Sequence, residues 1–91
     1  MDKVLWYLIA GTRGGPNRAR ILRELATRPR NAHQLADTLD LEYNTVRYHI
    51  DMLLDHGVVE AGEQDYGKPY FLTDQFQAHW ETFETITEHM E

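Results

Sequence analysis

The chain has 91 residues, no cysteine, and 15 acidic against 9 basic side chains, for a formal net charge of −6. Ninety-one residues close one hydrophobic core, and a 42% hydrophobic content is that of a folded rather than a disordered chain. Without cysteine, disulfide frameworks, cysteine-ligated zinc and thiol nucleophiles are excluded.

The longest apolar run, residues 4–10, is far shorter than the roughly 20 residues of a membrane-spanning helix. With Asp2 and Lys3 before it and arginines soon after, it also makes a poor signal sequence, so the chain reads as cytoplasmic with no membrane partner. Apolar on every side, this segment is expected to form a helix buried all round. Gly11, Gly14 and Gly15 stop it, and Pro16 and Asn17 open a second helix with Ile21, Leu22, Leu25 and Ala26 on its apolar stripe. Pro29 ends that helix. Asn31 with Gln34 three residues on predicts a capping box for a short helix that buries Ala32, Leu35, Ala36 and Leu39. After a turn at Asp40 and Leu41, a helix over 42–56 places Val46, Ile50, Leu53 and Leu54 on one stripe and stops at Gly57.

Beyond Gly57 the period changes to that of a strand, predicting a β-hairpin of residues 58–61 and 69–72 joined through a polar turn at 64–67. Thr73 or Asp74 caps one last helix, along which Phe76, Trp80, Phe83, Ile86 and Met90 step by three or four. The expected fold is mainly α with a small β-hairpin wing, a winged helix-turn-helix with extra N- and C-terminal helices. It forms a single domain over 1–91: an N-terminal helix (1–12), a winged-helix core (13–74) and a C-terminal dimerisation helix (75–91).

Residues 46–59, beginning Val46, Arg47, Tyr48, His49, Ile50 and Asp51 and running through Leu53, Leu54 and Gly57 to Val59, resemble the third-helix signature of ArsR-like winged helix-turn-helix regulators of the archaeal and bacterial type. Residues 34–39, with adjacent Leu35 and Ala36, are similar as well. The resemblance covers about residues 17–73. It implies a homodimer that binds double-stranded DNA, with the third helix in the major groove and the wing along the backbone or minor groove. No effector can be named from it.

The helix itself indicates which face is free. With Val46, Ile50 and Leu53 inward, its amino-terminal outer positions make Tyr43, Asn44, Thr45, Arg47 and Tyr48 the candidates for base contacts. Arginine can grip guanine O6 and N7, and asparagine can pair with adenine. Phosphate contacts are expected from the helix start at Asn31, with Arg30 and His33, and from Lys68 on the wing. Charge is unevenly placed: residues 1–30 carry seven basic and two acidic side chains, or +5, and the remainder carries −11. Asp51 and Asp55 on the free face, and Glu60, Glu63 and Asp65 on the wing, oppose phosphate. The competing reading is therefore a winged-helix module that binds protein.

The last helix has no lysine or arginine, and its aromatic stripe lacks a partner in the three-helix core, as does the N-terminal run. Packing Val4, Leu5, Leu8, Phe76, Trp80, Phe83 and Met90 across a two-fold axis would bury both ends; the alternative is first helix on last within one chain. The two third helices would then lie roughly 34 Å apart, one DNA turn. His79 and His89 are too far apart to form a metal site within one chain, so they read as solvated or capping. No cofactor or metal is expected. The glycines at 11–15 follow a helix rather than a strand, so no phosphate-cradling loop of an enzyme is present, and no catalytic activity is expected.

Overall fold

The structure, a computed structural model, describes residues 1–90. Helix α1 (Asp2–Leu5) runs on into a π-helical turn (Trp6–Ala10), closed where Gly11 N–H donates to Trp6 O at 2.9 Å. Only one face is covered. Leu5, Leu8 and Ile9 are buried against the helices over Gly15–Thr27 and Trp80–His89, whereas Trp6, Tyr7 and Ala10 face outward, so the expectation of burial all round is corrected. Gly15 lets the next helix cross closely, because a Cβ there would collide with Ile9 O.

Helix α2 (Gly15–Thr27) buries Ile21, Leu22 and Leu25, and also Arg18, while Ala26 faces solvent. Helix α3 (Ala32–Leu39) begins with the capping box: Gln34 N–H donates to Asn31 Oδ1 at 2.8 Å, and Asn31 N–H to Gln34 Oε1 at 2.9 Å. Its carboxyl end is held from α2, where Arg20 Nη2 donates to Leu39 O at 2.7 Å. Helix α4 (Tyr43–Asp55) buries Val46, Ile50 and Leu53, with Leu54 only half-buried, and Gly57 closes it at φ +72°.

Strands β1 (Val59–Ala61) and β2 (Tyr70–Leu72) pair antiparallel, with Glu60 opposite Phe71. The wing is not a free hairpin. Tyr70 N–H donates to Arg30 O at 2.9 Å, an isolated antiparallel bridge that pins β2 to the residues following α2.

The single last helix expected from the aromatic spacing is two helices. Thr73 caps α5 (Asp74–Gln77), and His79 then leaves helical geometry (φ −110°, ψ 21°) before α6 (Trp80–His89). The tight bond from His79 N–H to Phe76 O, 2.8 Å, makes the corner, and Phe76, Trp80 and Phe83 cluster around it with centroids 4.8–5.7 Å apart.

The two ends meet within one chain. Helix α1 and the π-helical turn pack on α6, His79 Nδ1 lies 3.0 Å from Asp2 Oδ1, and Thr82 Oγ1 donates to the same oxygen at 3.3 Å. Leu5, Leu8, Phe76 and Phe83 are thereby fully buried without a partner, while Val4, Trp80 and Met90 are half-buried. Lacking a partner in the three-helix core, the two ends cover one another within the chain. Among the described residues, no helix is long and apolar enough to cross a membrane.

Candidate nucleic-acid interface

Helix α4 points its amino-terminal turns away from the core. Asn44 is exposed, Tyr43 and Tyr48 are 40% and 60% exposed, and Thr45 is half-buried. His33 from α3 stacks on Tyr43 with ring centroids 4.3 Å apart, tying the two helices together at their outer ends. The wing loop closes the other side, where Asn31 Nδ2 approaches Gly67 O at 3.5 Å. Between these elements lies an open cleft of about 240 Å³ lined by Asn31, His33, Tyr43, Arg47, Lys68 and Tyr70, with Asp65 at its acidic edge.

The cleft thus brings together residues far apart in sequence that were separately expected to touch phosphate or bases. Asn44, Thr45 and Tyr48 lie outside it, along the same helix. Arg30 does not join them: it is 9% exposed, ion-paired with Glu24, and donates through Nη2 to Thr27 Oγ1 at 3.2 Å. Its backbone carbonyl, not its guanidinium, reaches the cleft lining, by anchoring Tyr70.

The Arg47 guanidinium has two side-chain partners. Its Nη1 donates to the Tyr70 hydroxyl at 2.7 Å and its Nη2 to Asp51 Oδ1 at 3.2 Å. The i,i+4 pair with Asp51 follows from helical spacing. Tyr70 is not among the expected site residues, the sequence placing it only within the second strand of the hairpin. The available signal is chemical: a buried tyrosine requires a partner for its hydroxyl, and Arg47 is a free-face donor on a neighbouring element.

Behind the interface, α4 is fixed by a buried polar cluster. Arg18, 1% exposed, donates from Nε to Leu8 O at 2.8 Å and from Nη1 to His49 Nδ1 at 3.0 Å, and it also reaches Thr12 Oγ1. It therefore joins the end of the N-terminal helix to α4. Burial, then the adjacent Arg18 charge, holds His49 below the usual imidazole range. Burial lowers Arg18 as well, against an opposing influence of Tyr48 and Tyr7. Among the described residues, no three histidine or acidic side chains gather as a metal site would require. His79 is engaged with Asp2, and His89 lies beside Trp6.

Three helices, a tight turn before the third and a hairpin after it make this a winged helix-turn-helix. A helix-turn-helix domain model matches residues 15–61, and the chain belongs to that family. No curated protein matches the chain in sequence. Among solved structures it is similar to a MarR transcriptional regulator from Methanosarcina mazei Go1, at 20% identity and a TM-score of 0.73 over 97% of this chain and 66% of that one. It is also similar to the adhesin competence repressor from Streptococcus pyogenes, at 17% identity and a TM-score of 0.66 over 80% of this chain. The chain spans 66% and 55% of the lengths of these two proteins.

Proposed function

We propose that the chain is a sequence-specific, double-stranded-DNA-binding transcription regulator of the ArsR-like type that acts in the cytoplasm as a homodimer. The observation that carries this reading is the cleft between α3, α4 and the wing, which gathers Asn31, His33, Tyr43, Arg47 and Lys68. Residues 43–48 enter the major groove. Asn31 and His33 at the start of α3 and Lys68 on the wing hold phosphates on either side. Arg30 acts only through its backbone. Binding, not catalysis, is the activity.

The homodimer rests on the family resemblance and on the outward Trp6 and Tyr7, 38% and 53% exposed, beside half-buried Val4. Residues 75–90 support that surface from within, by packing against the N-terminal helix. A second reading, a module that binds protein, is favoured by the tie between Arg47 and Asp51 and by exposed Glu60, Glu63 and Asp65 on the wing side. Selection of bound duplexes from a random DNA pool separates the two. Enrichment of a defined sequence supports the regulator, whereas negligible binding to any duplex at low salt supports the protein-binding module. With a preferred site in hand, Arg47→Ala should weaken that site far more than random DNA, and Lys68→Ala should weaken both alike.

A further inference from the structure

We propose that Tyr70 is a positioning residue for base recognition: its hydroxyl, anchored in the wing, sets the direction in which the Arg47 guanidinium is presented to DNA. The proposal rests on the DNA-binding reading above. Tyr70 lies opposite Ala61 in the hairpin and donates its N–H to Arg30 O at 2.9 Å, so its backbone is held from both sides, and at 2% exposure its ring is packed in place. Its phenol oxygen is therefore a fixed point within the cleft, and it accepts from Arg47 Nη1 at 2.7 Å.

The atoms involved determine what remains available. A guanidinium carries five N–H donors in a rigid fork. With Nη1 on Tyr70, the edge formed by Nε and Nη2 is left, and it presents two parallel donors of the kind that grip guanine O6 and N7. In the free protein Asp51 accepts from Nη2, one of the two nitrogens of that edge, at 3.2 Å. Asp51 is 58% exposed in its side chain, so this pair is solvated and readily exchanged for a base. Tyr70, buried and tied, is not exchanged. It removes rotamer freedom from Arg47 before DNA arrives, and immobilising such a side chain in advance is a direct gain in discrimination.

The test uses the full chain with Tyr70→Phe, which keeps the ring and removes only the hydroxyl. Affinity is measured by fluorescence anisotropy for the duplex that wild type enriches from a random pool and for a random-sequence duplex of equal length. The expected result is a fall of about three- to tenfold in the ratio of the two affinities, with the random duplex bound as by wild type. In an Arg47→Ala background, Tyr70→Phe should change the ratio no further. A partly unfolded variant lowers both affinities by the same factor and leaves the ratio untouched, so loss of folded protein cannot imitate the effect. An unchanged ratio in Tyr70→Phe, or the same fall with and without Arg47, overturns the positioning role while leaving DNA binding intact. A wild-type chain that enriches no duplex overturns both.

Discussion

Arg18 Nη1 and His49 Nδ1 lie 3.0 Å apart in the interior, and Arg18 forms no ion pair among the described residues. The imidazole can accept this bond only while neutral, because protonation would place two cations in contact away from water. The unfolded chain titrates His49 near 6.5, whereas in the folded chain burial, then Arg18, hold it lower. As pH falls, the unfolded state therefore takes up this proton first. The stability contributed by neutral His49 is complete above about pH 6.5 and is lost as pH falls through the folded value. His49→Gln offers an amide oxygen in its place and cannot titrate. We expect melting temperature to fall more steeply for wild type than for His49→Gln between about pH 7.5 and 5.5. Parallel curves in a calorimeter would remove His49 from the pH response.

What the sequence discloses about this fold follows from periodicity and caps. The stripe at Val46, Ile50 and Leu53, the Asn31–Gln34 box and the change of period after Gly57 each depend on neighbours within a few positions. What it conceals depends on partners far along the chain. Arg18 and Arg30 count toward the +5 of the first thirty residues, yet both are internal: Leu8 O and His49 hold one, Glu24 the other. Charge counting cannot distinguish a buried arginine from a solvated one. The break at His79 is concealed for another reason, since spacings of four and three among Phe76, Trp80 and Phe83 suit one helix or two. At the candidate site, the outward placing of Tyr43, Asn44 and Tyr48 is legible from helical spacing, whereas the bond between Arg47 and Tyr70 depends on how strand and helix are placed together.

Gly15 and Gly57 separate two ways in which alanine can be unwelcome. At Gly15 an added Cβ would run into the backbone carbonyl of Ile9, which cannot rotate away, so the crossing of α2 under the N-terminal helix must open. Gly57 has open space, its nearest neighbour being Gln75 Oε1 at 3.6 Å, but its φ is +72°. We expect Gly15→Ala to cost about 3 kcal/mol and Gly57→Ala about 1 kcal/mol in urea unfolding. The reverse order would mean that the N-terminal segment is not packed on α2 as described.

Asn31 has two roles that aspartate can split. The side-chain oxygen caps α3, and aspartate caps equally well with a favourable helix dipole. The Nδ2 group faces Gly67 O across the cleft, where a carboxylate would meet phosphate instead. Asn31→Asp should melt within a few degrees of wild type and bind DNA about tenfold more weakly at low salt, the gap narrowing as salt is raised. Asn31→Ala should instead lose about 1 kcal/mol of stability through the cap. Equal DNA affinity of wild type and Asn31→Asp would move the phosphate path away from the start of α3.

Asp51 sits one helical turn from Arg47 on the free face of α4, and their pair is largely solvent-exposed. Breaking such a pair costs only about 0.3–0.5 kcal/mol, so Asp51→Asn should leave melting nearly unchanged. Its effect on DNA is larger, because the substitution removes a negative charge beside the groove and frees the Nη2 edge of Arg47. Affinity for the preferred duplex should rise about threefold to tenfold at low salt. A decrease would mean that Asp51 itself accepts from a base, as a carboxylate can from cytosine N4.

The internal pairing of the two ends narrows the proposed dimer surface. Leu5, Leu8, Phe76 and Phe83 are buried within one chain, so substituting them would test folding rather than association. Trp6 and Tyr7 lie on the outer side of the N-terminal helix, and Ala10 is exposed one turn further on. Replacing Trp6 and Tyr7 together by glutamine removes apolar surface that a partner would cover while leaving the buried face intact. In sedimentation at micromolar concentration, wild type should travel as a dimer and the double variant as a monomer with an unaltered far-ultraviolet spectrum. DNA binding by the variant should then fall steeply, since one half-site no longer supports the other. A wild type that sediments as a monomer would leave recognition to a single helix α4, and would predict a preferred site without two-fold symmetry.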